Sequence, residues 1–270
     1  ITYMLLTGPP KEMEPMFLSY GSQQLQNRLQ SKERIESKVL RFYGIGEALL
    51  ETEIEDLLEN QTNPTIAPLA ADGEVTLRIT AKDESKEKCE ALISQVEAEI
   101  LRRVGQFYYG SNQTSLIQEL VKELTKRDMT IAVAESLTGG MFQEQLTTIP
   151  GVSAIFKGGV VSYATAVKAK MLHVSEETIA TYGVVSEQCA LEMAANIRTE
   201  LESDVGISFT GVAGPEEQEG KPAGTVFIGI SYRDGRSHVQ SLNLSGSRAQ
   251  NRIRTVKYGC HYLLRDIQQM

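Results

Sequence analysis

The chain has 270 residues and a mass of 29.8 kDa, which exceeds what one hydrophobic core usually organises, so we expect two domains and room for part of a third. Its 27 basic and 35 acidic residues give a net charge of -8, which argues against a protein whose main task is to bind nucleic acid phosphates. Hydrophobic residues at 41% and charged residues at 23% exclude a disordered chain.

The same composition argues against membranes, disulfides and metals. No apolar stretch approaches the roughly 20 residues that a membrane-spanning helix needs. The three cysteines, Cys89, Cys189 and Cys260, are far apart and odd in number, which favours neither a disulfide framework nor a Cys-x-x-Cys metal site. We therefore expect a cytoplasmic protein that holds no metal and no cofactor and does not contact a membrane.

The first 30 residues read as part of a domain that is mostly missing. Residues 1–6 form a strand-like run that leads straight into a turn at 7–10, without an initiator Met or a charged leader. A polar helix is predicted over 12–30. A chain that begins inside a strand looks like a fragment, so residues 1–30 are predicted to be a remnant.

Residues 31–109 are predicted to form a small α+β domain with KH-like topology. The order is strand, helix, strand, strand, helix, with these elements near 39–44, 47–60, 64–68, 75–80 and 82–104. A KH domain that binds RNA needs a Gly-x-x-Gly loop and positive charge. This segment has 10 basic and 16 acidic residues, a net charge of -6, and its Gly44-Ile45-Gly46-Glu47 has the wrong spacing. No direct nucleic acid binding is expected.

A polar stretch at 110–115 is predicted to be a linker, and residues 116–270 to be one layered α/β/α domain. Strands are predicted at 130–134, 156–163, 205–210, 225–232 and 239–244. Helices are predicted at 116–124, 138–147, 165–172, 175–182, 187–202 and 247–267. Ligands of such sheets bind beyond the carboxyl ends of the strands, so the residues that follow each strand are the candidates for function.

The first candidate is Ser136, in the run Ala134-Glu135-Ser136-Leu137-Thr138-Gly139-Gly140. It follows a strand and precedes a helix, where free backbone N–H groups bind an anion or an oxyanion. The alternative is that Ser136 or Thr138 only caps the helix. The pair Gly139 and Gly140 favours a functional turn, because adjacent glycines in a helix start indicate a close approach of the backbone to something.

The second candidate is Lys168, at the start of a helix that follows the strand ending at Tyr163. A buried lysine near a helix start has a lowered pKa, and its neutral amine can take a proton from a serine. Tyr163 would lie near enough to orient either group. The alternatives are a solvated surface charge for Lys168 and simple packing for Tyr163.

The third candidate is the small-residue loop Thr210-Gly211-Val212-Ala213-Gly214-Pro215. Such loops let backbone amides close on a phosphate, although an ordinary tight turn has the same composition. Arg248, at a helix start, is the best candidate for pairing with a phosphate. Arg252 is one turn later and adds a second guanidinium, but for Arg252 alone a helix-surface charge is the favoured interpretation.

Histidine chemistry is not supported by the sequence. His173, His238 and His261 are isolated, with no partner at metal-ligand or Ser-His-Asp spacing. A nucleophilic serine in this chain therefore needs another base, and lysine is the remaining choice.

Taken together, these motifs resemble those of the CinA family. The matching blocks are Ala134 to Gly140, Phe156 to Tyr163, Lys168, Gly183 to Glu187, Thr210 to Pro215 and Gly224 to Val226. Arg41 to Glu47 is similar to the middle domain of that family. Leu6 to Met13 resembles the end of its molybdopterin-binding-like amino-terminal domain. Because most of that domain is absent here, its pyrophosphatase activity is not expected.

The resemblance implies a Ser/Lys hydrolase that converts nicotinamide mononucleotide to nicotinate mononucleotide and ammonia in pyridine nucleotide salvage. Ser136 matches the nucleophile and Lys168 the base, with Tyr163 beside them. The substrate would be bound by Thr138, Gly139, Gly140, Thr210, Gly211, Gly214 and Arg248. A homo-oligomer is expected. The alternatives are an inactive nucleotide-binding module and an accessory protein of competence or DNA repair.

Overall fold

The computed structural model describes residues 3–28, 33–71 and 73–270, which contain two separate β-sheets with helices packed against each. The first described segment is mostly exposed. It consists of α1 (Pro10–Met16), one π-helical turn (Phe17–Gly21) and α2 (Ser22–Gln26). Residues 3–7 have no regular structure, so the strand predicted at 1–6 is wrong for its described part, since nothing there pairs with it. Residues 1, 2, 29 and 30 of the predicted remnant lie outside the described residues.

The middle part of the chain is a four-stranded antiparallel sheet with helices on one face. Its strands are β1 (Arg34–Tyr43), β2 (Thr65–Ala71), β3 (Glu74–Asp83) and β4 (Tyr108–Ser111), in the order β2-β3-β1-β4. Its helices are α3 (Glu47–Glu53), α4 (Glu55–Glu59) and α5 (Lys86–Val104). Alternate residues of β1 and β3, such as Leu40, Phe42 and Leu77, are fully buried in the core beneath α5. The predicted KH-like order of strand, helix, strand, strand and helix is confirmed, with its first helix divided into α3 and α4, and β4 adds a fourth strand that was not predicted.

Two predicted boundaries in this part differ from the structure. The long helix begins at Lys86 and not at 82, because Lys82 and Asp83 pair with β1 and Ser85 caps the helix by accepting from the Lys88 N–H. The predicted linker at 110–115 begins inside a strand, because Gly110 pairs with Arg41 of β1. In both cases pairing across the sheet extends a strand beyond its apolar residues.

The second sheet has five strands and helices on both faces. The strands are β5 (Ile131–Glu135), β6 (Phe156–Val161), β7 (Val205–Gly211), β8 (Thr225–Tyr232) and β9 (Ser237–Asn243), in the order β6-β5-β7-β8-β9. The helices are α6 (Leu116–Lys126), α7 (Met141–Thr147), α8 (Thr165–Leu172), α9 (Glu176–Tyr182), α10 (Glu187–Glu200) and α11 (Arg248–Gln268). β5 is parallel to both β6 and β7, whereas β7, β8 and β9 are antiparallel. The predicted layered α/β/α class is confirmed.

Each face of this sheet has its own core. Ile131 and Val133 of β5 point to the core shared with α6, α7 and α11, and Ala132 and Ala134 point to the core shared with α10. The α10 face uses small residues because the helix lies very close to the sheet. A Cβ at Gly206 would lie 2.1 Å from the Ala194 O atom. Alternate residues of a strand therefore face different helix layers, and the size of those residues sets the distance between each helix layer and the sheet.

The two sheets are joined by an aromatic and ionic contact between the middle domain and α11. The ring of Tyr43 packs edge-on against that of Tyr258, with 5.1 Å between the ring centroids, and at a tilt against that of His261, with 5.4 Å between the centroids. Lys257 Nζ forms an ion pair with Glu74 Oε1 at 2.7 Å. Burial among these side chains lowers the pKa of His261 to about 4, so this histidine is neutral near pH 7. Throughout 3–28, 33–71 and 73–270, no helix combines the length and the apolar character needed to cross a membrane.

Candidate active site

A cavity of about 240 Å³ opens at the edge of the second sheet where β5 and β7 end. Its walls come from the turns after these strands, the start of α8, the turn before α10, and the start of α11. The lining includes Ser136, Leu137, Tyr163, Lys168, Val184, Val185, Thr210, Gly211, Gly214 and Arg248. This is the place where the carboxyl ends of neighbouring parallel strands bring their loops together.

Seven of the ten predicted site residues line this cavity, and three do not. Those present are Ser136, Tyr163, Lys168, Thr210, Gly211, Gly214 and Arg248. The other three, Thr138, Gly139 and Gly140, lie in the turn behind Ser136 and are not part of the lining. The structure therefore brings the proposed nucleophile and base together but removes the glycine pair from the binding surface.

Lys168 is the most unusual side chain of the cavity. It is only 1% exposed, which contradicts the surface-charge alternative. Its Nζ donates a hydrogen bond to the carbonyl O of Ser162 at 3.0 Å. Burial lowers the pKa of Lys168 to about 8, and the nearby Cys189 and Glu219 oppose that shift. An amine with this pKa is partly neutral at physiological pH and so able to accept a proton.

Ser162 links this amine to the strand that carries Ser136. The Ser162 N–H donates to the Glu135 carbonyl O at 2.7 Å, and its hydroxyl donates to the same oxygen at 3.4 Å. Its own carbonyl accepts from Lys168. Because Glu135 directly precedes Ser136, two backbone units fix the position of the amine relative to the serine.

The Ser136 turn is built around the buried carboxylate of Glu135, whose role the sequence analysis missed. Glu135 is 0% exposed, and its carboxylate accepts from the N–H groups of Gly140, Phe142 and Gln143 at 2.9, 3.2 and 2.9 Å. These are the groups at the N-terminus of α7 that otherwise need a cap or an anion. The protein therefore fills this anion site with its own side chain, and neither Ser136 nor a bound phosphate caps the helix.

The glycine pair has a conformational reason. Gly139 and Gly140 have φ angles of +62° and +94°, a region that other residues adopt at a cost. Gly139 N–H donates to the Ser136 carbonyl, so the amides of both glycines are already used. These two amides are therefore not free to bind an oxyanion, and the predicted substrate contact of Thr138 stays a prediction. The amides of Leu137 and Thr138 remain without an acceptor among the described residues, and Leu137 lines the cavity.

Two arginines of α11 act on different parts of the site. Arg248 donates to the Gly214 carbonyl and to the hydroxyl of Tyr163, both at 2.8 Å, so the predicted phosphate-binding residue lies at the cavity mouth with the exposed Tyr163. Arg252 donates to the Thr138 carbonyl at 2.8 Å. It therefore anchors the Ser136 turn, which neither of its two sequence interpretations predicted.

The opposite wall is formed by Thr210 and the chain after it. Thr210 is 1% exposed, and its hydroxyl donates to the Val184 carbonyl at 2.6 Å. Val184 and Val185 precede α10 and also line the cavity. Within the described part of the chain, no three His, Cys, Asp or Glu side chains are grouped to hold a metal ion. The polar side chains that line the cavity include hydroxyls, the Lys168 amine, the Arg248 guanidinium, the carboxylates of Glu216 and Glu217 and the carboxamide of Gln218.

Two family models match this chain. The CinA C-terminal domain matches residues 113–267, and the damage-inducible protein CinA KH domain matches residues 37–110. Competence-damage inducible proteins of Geobacillus sp. strain WCH70 and Bacillus cytotoxicus are 56% and 54% identical to it. Each alignment covers 99% of this chain but only 64% and 65% of the relative. The chain thus spans a little under two thirds of the length of these relatives.

Solved structures agree with these matches. A CinA superfamily protein of Klebsiella pneumoniae 700603 is 31% identical with a TM-score of 0.56, over 57% of this chain and 97% of its own. The competence/damage inducible protein CihA of Agrobacterium tumefaciens is 31% identical with a TM-score of 0.55, over 57% of this chain and 94% of its own. The C-terminal domain model alone covers more than half of the chain. The protein therefore belongs to the CinA family.

Proposed function

We propose that this cavity hydrolyses the carboxamide of nicotinamide mononucleotide, releasing ammonia and nicotinate mononucleotide, with Ser136 as nucleophile and Lys168 as base. The observation that carries the proposal is the buried amine of Lys168 in the same cavity as the Ser136 hydroxyl. A serine next to a base is the arrangement of covalent hydrolases. Membership of the CinA family and the guanidinium of Arg248 at the cavity mouth support a phosphorylated substrate.

The lowered pKa makes Lys168 an effective base. With a pKa of about 8, roughly a quarter of the amine is neutral at pH 7.5, against about a thousandth for an ordinary lysine. The neutral amine takes the proton of the Ser136 hydroxyl as Oγ attacks the carboxamide carbon. The free Leu137 amide is placed like the oxyanion donor that follows the nucleophile in other strand-turn-helix hydrolases.

The remaining steps return each group to its starting state. The C–N bond breaks, and ammonia leaves with the proton that Lys168 had taken. Water then attacks the acyl ester, giving a proton to the neutral amine. Collapse of this second intermediate releases the carboxylic acid, which gives its proton to water, and Lys168 returns the proton that it holds to Ser136 Oγ. The positive pyridinium ring of the substrate withdraws electrons and makes the amide carbon easier to attack.

The test is ammonia release from nicotinamide mononucleotide by the wild type, Ser136→Ala and Lys168→Ala. We expect each substitution to lower kcat by about a thousandfold or more, and kcat/KM of the wild type to rise with pH through a midpoint near 8. Lys170→Ala is the matched control, because Lys170 is exposed on the same helix. Normal turnover by either cavity variant would contradict the proposal. Binding without turnover by the wild type would identify a nucleotide-binding module.

A further inference from the structure

The residues after Pro215 form a loop that the mechanism above does not use. Glu216, Glu217 and Gln218 of this loop line the cavity. At its tip, Gln218 and Lys221 exchange two backbone hydrogen bonds at 3.1 and 2.9 Å. The two residues between them, Glu219 and Gly220, have φ angles of +53° and +70°. This is the left-handed pair of a type I′ turn, in which a glutamate is uncommon.

The side chain of Glu219 reaches back to a distant part of the cavity wall. Its carboxylate accepts from the N–H groups of Val184 and Val185, both at 3.1 Å. Gly183 makes room for it, since a Cβ at Gly183 would lie 2.3 Å from the Glu219 Oε2 atom. Two N–H groups that donate to one carboxylate form a charge-assisted pair of hydrogen bonds, and the pair fixes both the distance and the orientation of Glu219 relative to the backbone at Val184 and Val185.

This contact joins two walls of the cavity. Val184 is held at both ends, because Glu219 accepts from its N–H and Thr210 donates to its carbonyl. On the loop side, Glu216 and Glu217 are neighbours of Glu219 in the chain and face the same space. The shape of the cavity therefore depends on one side chain that bridges the loop and the turn before α10.

The carboxylate of Glu219 also contributes to the electrostatic environment of the base. Burial is the main cause that lowers the pKa of Lys168, while Cys189 on α10 and Glu219 on the loop both act to raise it. Glu216, Glu217 and Arg248 are the other charged side chains that line the cavity with Lys168. Removal of the Glu219 charge thus favours the neutral amine.

We propose that Glu219 is a positioning residue for the amidase reaction: by bonding the Val184 and Val185 amides it holds the 215–222 loop closed against the cavity and keeps a negative charge beside the base. The inference rests on the proposed function for its kinetic consequence, but the contact itself is independent of any activity. Glu219 touches no reacting atom and acts through the loop and Lys168.

The first experiment measures the contact without turnover. Hydrogen exchange of the Val184 and Val185 amides is compared in the wild type, Glu219→Gln and the control Glu177→Gln, which changes an exposed carboxylate on α9. We expect Glu219→Gln to speed exchange at these two amides about tenfold or more. Exchange at Ile207 in the core of β7 serves as the reference for global stability and stays unchanged.

The second experiment separates shape from charge by kinetics with nicotinamide mononucleotide. Glu219→Asp keeps the charge but is one methylene too short to reach the amides, so we expect KM to rise about tenfold. Glu219→Gln is expected to raise KM similarly and also to move the rising limb of kcat/KM to lower pH, because the remaining environment lowers the pKa of Lys168 further. Glu177→Gln keeps the wild-type values.

Each result decides one idea. If the wild type releases no ammonia, the proposed function fails, while the exchange data still test the Glu219 contact. If the wild type is active and both Glu219 variants match Glu177→Gln in exchange, KM and pH profile, the positioning role is overturned. If KM rises in both variants but Glu219→Gln and Glu219→Asp have the same pH profile of kcat/KM, the proposed effect of the Glu219 charge on Lys168 is overturned.

Discussion

Two glycine-containing loops meet at the same edge of the second sheet, and they differ in whether the amides of their glycines are bonded within the protein. The first is the Ser136 turn, residues 136–140. Its amides and carbonyls are mostly bonded inside the protein, through the Glu135 carboxylate and the Arg252 guanidinium. We infer that these bonds hold Ser136 and the Leu137 amide in place for the proposed reaction.

The second is the loop from Thr210 to Gly224, which lines the cavity over much of its length. The amides of Ala213 and Gly214 have no acceptor within the described residues. Its start is held by bonds from Thr210 to Val184 and from α11 to the carbonyls of Ala213 and Gly214. Its tip is held by the contact of Glu219 with the backbone before α10. Glycine content alone therefore does not identify a ligand-binding loop, because the amides of Gly139 and Gly140 are already bonded within the protein whereas the amide of Gly214 is free in the part of the chain that the structure describes.

The largest effect on stability is expected from Glu135, whose buried carboxylate accepts from three N–H groups at the start of α7. Glu135→Ala leaves three N–H groups of α7 without a partner in a buried setting, so we expect the free energy of unfolding to fall by about 3 kcal/mol or more. Urea denaturation measures this. Glu144→Ala, an exposed carboxylate on the same helix, is the control and stays within about 0.5 kcal/mol. A small loss for Glu135→Ala would mean that the turn is not held by its carboxylate.

Lys168 lines the cavity together with both loops, and we expect its buried amine to lower the free energy of unfolding near neutral pH. Its pKa is about 8 when folded against 10.5 when unfolded, so the unfolded state binds more protons between these values and stability rises with pH across that window. At pH 7 the buried charge therefore destabilises the fold. Lys168→Met removes the charge but also the bond to Ser162, and we expect a gain of about 2 kcal/mol at pH 7.

The gain of Lys168→Met should disappear as the pH approaches 10.5, where the wild-type amine is neutral in both states. Urea denaturation at pH 7 and pH 10 checks this, with Lys170→Met as the matched control on α8. A variant that is less stable than the wild type at pH 7 would show that the cavity accommodates the charged amine without cost.

A smaller effect is expected at the wall of the second loop. Thr210→Val leaves the Val184 carbonyl without its 2.6 Å donor, so we expect the free energy of unfolding to fall by about 1.5 kcal/mol. Thr225→Val is the control, because Thr225 is also buried but makes no described side-chain hydrogen bond. Equal free energies of unfolding for the two variants would mean that the bond from Thr210 to the Val184 carbonyl does not stabilise the cavity wall.

The smallest effect is expected where the first loop is anchored from α11. Arg252→Met removes the hydrogen bond to the Thr138 carbonyl and should lower kcat for ammonia release about tenfold, because a loosened turn misplaces Ser136. Arg254→Met, which loses a similar bond to the Ser245 carbonyl outside the cavity, is expected to keep full activity. Equal kcat values for both variants would remove Arg252 from the positioning of the turn.

Much of the fold follows from local patterns. The strand at Thr225–Tyr232 and the helix at Thr165–Leu172 have the bounds that their apolar spacing predicts. Strand pairing depends on residues that are far apart in the chain, so β4 was not predicted and the start of α5 was predicted four residues too early. The seven predicted site residues that line the cavity lie at the ends of strands or in the turns and helix starts that follow them, and the topology of a layered sheet brings such positions together.

Long-range side chains were beyond prediction. Glu135 looks like an ordinary strand residue, and Glu219 lies 34 residues from the Val185 amide that it binds. No spacing rule connects such partners, since a side chain's target depends on which loops the sheet order places side by side. The Glu135 cap had one local signal, an acidic residue shortly before a helix start, which the glycine pair obscured.

The sequence by itself determined the layered α/β class, most of the helices and strands, and a candidate serine and lysine that lack any histidine partner, because these depend on residue type and on periods of two or 3.6 residues along the chain. Only the tertiary structure decided that Lys168 is buried, that the Gly139–Gly140 amides are used internally, and that Glu219 joins two walls of the cavity. Burial and hydrogen-bond partnership are properties of the packed layers, and each depends on residues that are far apart in the chain.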